Sequence, residues 1–374
     1  MGKKGAFLII TGAGAEASGI TITDFGSASV YDGAKIMDSV VEAGGILAMS
    51  YRKLNDGTSA GYAENITVKE DGIFWVGKLG SVANNITFEA GSFIGGFGLD
   101  SQGTAFTNSK VIGYDGSETT LTNWNGGDYT VANGLILLMS SRIGDDTADY
   151  VLDLSKVILD KGGAIQKSVT DNTFSSADTV EGLRVIDPET GDVLDASISG
   201  GKATNWVVNK GQEYTFGAND TGLIVYEGGV INGNYSTAEN QLTGRYVYDD
   251  GSVVAFSCAD GVAENLILDG KTLSIAAGGK SINAVLTNGG VINGMGGGAT
   301  VEGGSVSGEN STIQITGADS VISGTVLSGT EFAKIEVWDG AKAYDILVSA
   351  GAPIATGMGK KGAFLIITGA GAEA

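Results

Sequence analysis

The sequence predicts an all-β fold, a parallel β-helix (β-solenoid) whose short strands wind into stacked coils of about 19 residues. The 374-residue chain has 62 glycines and 2 prolines, without the strict three-residue period of collagen. Short β-branched runs end at glycine and recur every 18 to 20 residues, as from Asn65 to Asn85 and from Asn265 to Asn283. A repeat of this length with strands of about three to five residues is typical of a β-solenoid.

The repeated motif is a polar residue, an apolar residue, any residue, a second apolar residue, two spacers and a glycine. In the copy at Asn65–Gly72, Ile66 and Val68 have the same parity, so both are expected to face the core while Thr67 faces solvent. The corner and ladder residues predicted from the copies are Asn65, Asn85, Asn205, Asn265, Asn283, Asp38, Asp345, Gly44, Gly91, Gly211, Gly289 and Gly351.

The residue types at these corners suit a tight turn of the chain. Glycine adopts positive φ without a steric penalty, and asparagine tolerates the left-handed conformation or hydrogen-bonds its own turn. Asparagines at equivalent positions of successive coils can also form a ladder of side chains. The scarcity of proline agrees with this interpretation, because nearly every backbone N–H of a solenoid strand donates to a neighbouring coil.

Motif spacing divides the chain into three parts. Residues 1–100 and 201–374 are predicted to be β-solenoid coils, and Val30–Gly44 aligns with Val337–Gly351 at nine of fifteen positions. The asparagine motif is missing from residues 101–200, where degenerate coils with an insertion or a hairpin off the main stack are expected. Within that part, Val185–Asp195 is predicted to form two strands joined by a turn at Pro188–Gly191. A separate small domain is the alternative.

Residues 358–374 repeat residues 1–17 without a difference. Coil geometry tolerates many residue types, so it does not explain perfect identity. The repeat favours a tandem array with a unit of about 357 residues, and the alternatives are an engineered duplication or separate subunits that dock head to tail. All three predict that the C-terminal end of one unit continues into the N-terminal end of the next. Neither end shows the polar, proline-containing or helical cap that protects a solenoid end.

The net charge and the amino-acid composition argue against several functions. A formal charge of −21 is unfavourable for binding nucleic acid. The chain has no histidine, the commonest general base. Its one cysteine, Cys258, lies in an apolar strand and is expected to be a small core residue. No run of about 18 apolar residues occurs, so no membrane insertion is expected.

The sequence shows no cluster of carboxylates of the kind that polysaccharide lyases and hydrolases use. Its acids are scattered, as in Asp145–Asp146 and Asp249–Asp250, and are predicted to lie in solvated turns. We therefore expect no enzymatic activity, no catalytic or metal-binding residue and no cofactor, although so acidic a surface could hold calcium weakly. Core or corner packing, rather than a sugar-stacking surface, is expected for the tryptophans Trp75, Trp124, Trp206 and Trp338.

The residue pattern of "VYDGAKIMDSVVEAGGILAMS" and "GYAENITVKEDGIFWVGKLGSVANNITFEAGSFIGG" resembles that of the repeats in self-associating autotransporter adhesins of the AIDA type. The resemblance covers Gly19–Gly96 and Lys202–Gly351, about two thirds of the chain. It implies a right-handed parallel β-helix passenger, secretion, surface display and self-association. No site residue follows from it, because adhesion in that family is spread over a face. The pattern of a C-terminal membrane barrel is not visible in this sequence.

Two functions are expected from these features. The first is a structural extracellular β-solenoid that continues end to end into a fibre, with other copies of itself as partners. The second is a cell-surface adhesin passenger that binds other cells or glycans. Both place the chain outside the cell or on its surface, with the export signal not in this chain. The hypothesis that the chain is a carbohydrate-active enzyme is the least favoured of the three.

Overall fold

The strand pairing in a computed structural model confirms the predicted parallel β-solenoid. The structure describes residues 5–49, 60–76, 80–96, 105–121, 128–139, 153–329, 332–350 and 363–373. Their regular structure is β, apart from one short 3-10 helix, α1, at Leu154–Lys156. Most neighbouring strands of a sheet are parallel and come from successive coils, so the coils stack on one another.

The strands fall into an N-terminal, a central and a C-terminal set. The N-terminal set is β1 (Phe7–Thr11), β2 (Glu16–Ser18), β3 (Thr21–Ile22), β4 (Ser27–Tyr31), β5 (Lys35–Val41), β6 (Ile46–Ala48), β7 (Tyr62–Val68), β8 (Ile73–Trp75), β9 (Val82–Phe88), β10 (Ser92–Gly95), β11 (Ala105–Thr107), β12 (Lys110–Ile112) and β13 (Glu118–Thr120). The central set is β14 (Tyr129–Val131), β15 (Leu135–Leu138), β16 (Val157–Leu159), β17 (Ala164–Gln166), β18 (Thr173–Ser175), β19 (Val180–Ile186), β20 (Val193–Ser199), β21 (Lys202–Thr204), β22 (Val207–Val208), β23 (Glu213–Thr215), β24 (Leu223–Tyr226), β25 (Val230–Asn232), β26 (Tyr235–Ser236), β27 (Leu242–Val247), β28 (Val253–Ala259) and β29 (Val262–Glu264). The C-terminal set is β30 (Ile267–Asp269), β31 (Thr272–Ile275), β32 (Lys280–Ile282), β33 (Val285–Thr287), β34 (Val291–Met295), β35 (Thr300–Glu302), β36 (Ser305–Val306), β37 (Thr312–Thr316), β38 (Val321–Ser323), β39 (Val326–Gly329), β40 (Ala333–Trp338), β41 (Lys342–Tyr344), β42 (Leu347–Ala350) and β43 (Ala363–Thr368).

The N-terminal coils alternate between two sheets, with strand orders β1-β4-β6-β8-β10-β15-β17 and β13-β12-β9-β7-β5-β2. Their register is regular, since β7 pairs with β9 from Tyr62 opposite Val82 to Val68 opposite Phe88. Ile66 and Val68 are buried and Thr67 is half-buried, which confirms the predicted inward pair. Alternating apolar residues therefore build the core of each coil from one side of a short strand.

The central coils contain a hairpin formed by β19 and β20, which pair antiparallel from Leu183 opposite Ala196 to Ile186 opposite Val193. The chain reverses at Pro188–Gly191, in the segment where the sequence predicts a strand, a turn and a returning strand. Both arms belong to the sheet, whose order is β16-β19-β20-β21. The hairpin therefore adds strands to one face of the solenoid, whereas the sequence predicted it off the main stack.

A second hairpin is formed by β27 and β28, from Leu242 opposite Cys258 to Val247 opposite Val253. It lies in the part of the chain for which the sequence predicts only coils. Both arms again join a sheet, in the order β24-β27-β28-β29. The two hairpins are therefore built alike, each with an outgoing arm parallel to an earlier coil and a return arm antiparallel to the next strand.

Each C-terminal coil contributes one strand to each of three sheets. The three orders are β29-β32-β35-β38-β41, β31-β34-β37-β40-β43 and β30-β33-β36-β39-β42. The distance along the chain between equivalent corners is 18 residues from Asn265 to Asn283 and 21 residues from Gly324 to Asp345. In the N-terminal coils it reaches 27 residues between Asp38 and Asn65, so the predicted 19 is near the short end of the range.

One apolar core runs through the described coils from Ile10 to Ala343. In the regular coils it consists mainly of β-branched and leucine side chains, and in the centre it is rich in aromatic rings. In the central coils, the ring centroids of Trp206 and Phe174 are 4.9 Å apart, and those of Tyr246 and Phe256 are 4.4 Å apart. Aromatic rings also pack in the core of the N-terminal coils, where the ring centroids of Phe74 and Phe88 lie 5.7 Å apart.

Candidate functional site: the corner columns and the two ends

The predicted corner residues have left-handed backbone. Their φ angles are 47° at Asp38, 55° at Asn65, 55° at Asn85, 48° at Asn205, 54° at Asn265, 54° at Asn283, 53° at Asp345, 71° at Gly44, 82° at Gly91, 75° at Gly211 and 83° at Gly289. Gly351 lies outside the described residues. Only asparagine, aspartate and glycine adopt this conformation at little steric cost, which explains the residue choice.

In the N-terminal coils these corners form a ladder of side-chain hydrogen bonds. The Asn85 Nδ2 donates to Asn65 Oδ1 at 2.8 Å, and the Asn65 Nδ2 donates to Asp38 Oδ1 at 2.9 Å. Ser18 Oγ extends the ladder to Asp38 Oδ2 at 3.2 Å. The structure therefore brings Asp38, Asn65 and Asn85 together in one column, one residue per coil.

The C-terminal column is built differently. The strand register places Asn265, Asn283, Gly303, Gly324 and Asp345 above one another, all with positive φ. Glycine at the third level is required, because a Cβ on Gly303 would lie 2.5 Å from Asn283 Oδ1. Asparagine and glycine therefore share this column, and the side chain of one level occupies the space left by the next.

The two hairpins give a corner asparagine a different partner. The Asn205 Nδ2 donates to the Asp195 carbonyl at 2.9 Å, and the Asn265 Nδ2 donates to the Ala255 carbonyl at 2.8 Å. Each acceptor lies on the return arm of the hairpin that precedes its asparagine. The predicted site residues thus divide into those that bond the neighbouring coil and those that fasten a hairpin.

The first copy of the repeated segment forms the N-terminal end of the stack. Its strand β1 pairs in parallel with β4, from Phe7 opposite Ser27 to Thr11 opposite Tyr31. Among the described residues β1 pairs with no other strand, so its second edge is open. Phe7 is 79% exposed on this end.

The second copy forms the opposite end. Its strand β43 pairs in parallel with β40, from Ala363 opposite Ala333 to Thr368 opposite Trp338. Among the described residues β43 pairs only with β40. The same six residues therefore bond the following coil in one copy and the preceding coil in the other, each time through a single edge.

In each copy of the repeated segment, the glutamate that follows the strand lies beside a lysine of the neighbouring coil. In the first copy Glu16 is paired in register with Lys35, which also forms an ion pair with Glu64. In the second copy Glu373, the equivalent of Glu16, forms an ion pair with Lys342 at 3.3 Å. Its hydrogen bond and charge raise the pKa of Lys342. The segment thus presents one glutamate to a lysine on either side.

The end near β43 also leaves apolar side chains uncovered. Leu347 is 60% exposed and Val348 is 47% exposed, both on β42. Ile367 of the second copy is 39% exposed, whereas its equivalent Ile10 in the first copy is 6% exposed. Val348 pairs in register with the buried Leu327, and Ile367 with the buried Val337, so among the described residues two inward-facing side chains are left partly exposed at this end. Leu347 has the opposite parity and faces outward.

The structure places most of the acids and the cysteine that the sequence analysis considered for catalysis or metal binding. None of the described residues form a group of three or more acids and cysteines that could hold a metal ion. Cys258 is buried, and burial raises the pKa of its thiol to about 11, so it is a core residue as predicted. Asp249 and Asp250 are exposed in the turn of the second hairpin, while Asp145–Asp146 lie outside the described residues.

Three of the predicted tryptophans can be placed. Trp206 and Trp75 are buried and Trp338 is half-buried, while Trp124 lies outside the described residues. These positions give the placed tryptophans packing roles. No helix in the described part of the chain is long and apolar enough to cross a membrane.

A groove of about 300 Å³, which the sequence analysis did not predict, lies beside the second hairpin. Its lining includes Tyr226, Tyr246, Tyr248, Glu227, Asp269 and Lys271. Burial raises the pKa of Tyr226 to about 12, so its phenol stays protonated at neutral pH. Aromatic faces beside carboxylates are a surface on which a sugar can stack and form hydrogen bonds.

No known protein family matches the sequence, and no curated protein matches it. Among solved structures, the chain is similar to the crystal structure of a TibC-catalysed, hyper-glycosylated fragment of TibA, residues 55–350. The match has a TM-score of 0.26 and 15% sequence identity, and covers 94% of this chain and 96% of that chain. A likeness of this kind carries no argument, so the class of the protein, a parallel β-solenoid, rests on its strand pairing.

Proposed function

We propose that the chain is a structural β-solenoid unit that continues end to end into a fibre. One observation carries the proposal: an identical strand pairs with β4 through one edge and with β40 through the other. A single strand in the middle would satisfy both edges, as in every internal coil. The inward apolar stack and the alternating charges of Lys342, glutamate and Lys35 would then run on across the junction.

The proposal includes an extracellular or cell-surface location, which follows from the resemblance of the repeats to surface adhesins. It assigns the chain no enzymatic activity, no cofactor, no nucleic-acid partner and no membrane insertion. The support for these assignments is the charge of −21, the lack of histidine and the scattered acids.

The test is negative-stain electron microscopy with sedimentation of the purified full chain over a range of concentrations. Long thin fibres are expected above a critical concentration. Val348→Asp places a charge on an inward-facing side chain that is 47% exposed in the single chain and would be covered at the junction, so it should raise that concentration about tenfold. Val285→Asp is the matched control, because Val285 is 37% exposed on β33 inside the stack, and it should assemble like the parent chain. Isolated rods at every concentration would contradict the proposal.

A second candidate function is that of an adhesin, and the tyrosine-lined groove beside the second hairpin favours it. In that case the groove would bind a glycan on the surface of another cell. The same preparation separates the two functions, because an adhesin stays monomeric in dilute solution and clumps cells when it is displayed on them.

A further inference from the structure

We propose that the chain's own end segments block its junction, so that two copies of the chain join by exchanging one strand. The inference rests on the proposed function and names its regulation. In the isolated chain, residues 363–373 cover the edge of β40 and residues 6–16 cover the edge of β4. A continuous junction has room for one strand at this level, so one of the two identical segments must leave.

Identity makes the exchange neutral for the contacts already present. A second chain's Ala6–Thr11 offers β40 the same backbone and side chains as Ala363–Thr368. Its Glu16 also reaches Lys342 in place of Glu373. Either segment can therefore fill the shared level, and the loss of one set of contacts is matched by an equal gain.

The exchanged junction gains contacts that the isolated chain lacks. In the first copy the segment continues into β3, where Thr21 pairs with Val40 and Ile22 pairs with Val41. The alignment of Val30–Gly44 with Val337–Gly351 makes Leu347 and Val348 the equivalents of Val40 and Val41. The β3 strand of a second chain would therefore lie over Leu347 and Val348, the exposed apolar pair at the open end.

These contacts predict the energetics of assembly. The joined state is favoured because it covers the inward-facing side chains of Val348 and Ile367, which are partly exposed in the single chain. The rate is limited by release of one resident end segment. Weakening a resident segment should therefore accelerate fibre formation. Removing a contact that holds a fibre together usually slows its formation instead.

The identical segments provide the experiment. Leu8 and Leu365 are equivalent residues of inward parity, opposite the buried Ala28 and Ile335, although Leu8 is 38% exposed and Leu365 is partly buried. Leu365→Asn loosens the second copy and leaves the first intact, and Leu8→Asn does the reverse. The double variant leaves no intact segment. Ile366→Asn is the matched control, because Ile366 has the opposite parity and faces outward beside Glu336.

Fibre growth of the full-length chains would be followed by light scattering, with circular dichroism to verify that each variant is folded. Each single variant should shorten the lag about fivefold, because each of these leucines is only partly buried in the single chain. Ile366→Asn should match the parent chain, and the double variant should form no fibres at the same concentration.

The outcomes separate the two proposals. Single variants that assemble at the parent rate or more slowly overturn strand exchange, while their fibres still support end-to-end continuation. A double variant that assembles as well as the single variants overturns strand exchange as well. If no chain in the series forms fibres, the proposed function and the exchange fail together.

Discussion

The regular N-terminal coils and the central region with its two hairpins keep the same solenoid by different means. In the N-terminal coils the same few contacts recur at each level: a left-handed corner, a side-chain hydrogen bond to the next corner, and inward apolar residues. In the central region, contacts that occur once take their place. Two of these contacts involve Asp220 and the pair formed by Asp187 with Arg245.

The difference follows from strand direction. A parallel coil can repeat the register of the coil below, so one residue type serves at every level. An antiparallel hairpin places two extra strands on one face only, and its neighbours must be joined by residues specific to that place. Substitutions in the regular coils should therefore have small effects, and substitutions at the specific central contacts should have large ones.

Asp220→Ala should give the largest effect. The Asp220 carboxylate is fully buried and accepts hydrogen bonds from the Ala203 N–H, the Gly217 N–H and the Tyr214 hydroxyl, each at 2.7 Å. Its removal leaves three buried donors without an acceptor, which should lower the free energy of unfolding by roughly 3–5 kcal/mol. Urea unfolding followed by the fluorescence of the nearby Trp206 measures the change.

Tyr214→Phe is the matched control for that experiment. It removes only one of the three donors and leaves the aromatic ring, so a loss of about 1 kcal/mol is expected. Equal losses in Asp220→Ala and Tyr214→Phe would show that the hydrogen bonds from the Ala203 and Gly217 N–H groups to this carboxylate contribute nothing to stability.

Asp187→Asn should have an intermediate, pH-dependent effect. Burial raises the pKa of Asp187, but the N–H groups of Glu189 and Thr190 and the Arg245 guanidinium lower it more, so the net pKa lies below its usual value. The interaction therefore stabilises the fold fully above about pH 4 and is lost as pH falls through the folded-state pKa. Asparagine keeps an oxygen for the turn but loses the ion pair, at a cost of about 2 kcal/mol at pH 7.

Thermal unfolding between pH 7 and pH 2 measures the effect of Asp187→Asn. The difference in melting temperature between the parent chain and the variant should be largest near neutral pH and should shrink below about pH 4. A difference that stays constant over this range would show that the ionised carboxylate contributes nothing to the hairpin contact.

The comparison also explains how much the sequence could predict. Local chemistry was enough for the corners, because positive φ selects asparagine, aspartate and glycine at Asn65 or Gly91 whatever lies nearby. It was also enough for Ile66, Val68 and Cys258, whose parity or apolar surroundings place them inside. Contacts such as these repeat, so the spacing of the motif reveals them.

Other features depend on which strands become neighbours. The arms of the second hairpin, β27 and β28, have the alternation of ordinary coil strands, and only the turn around Asp249 and Gly251 marks a reversal. Asp220 looks like one more acid of a solvated turn in the sequence, because its burial depends on the packing of the preceding coil, from which the Ala203 N–H donates.

The corner asparagines should give the smallest effects, and Asn85 sharpens the comparison. Asn85→Ala removes one exposed hydrogen bond and forces alanine into the left-handed conformation at φ 55°, so a loss of about 1 kcal/mol is expected. Asn85→Gly loses the same hydrogen bond but accepts the conformation, so it should change stability by less than about 0.5 kcal/mol. Urea unfolding of both variants separates backbone conformation from the ladder. Equal losses in the two variants would mean that the hydrogen bond to Asn65, and not the positive φ, is what selects asparagine at the corners of the regular coils.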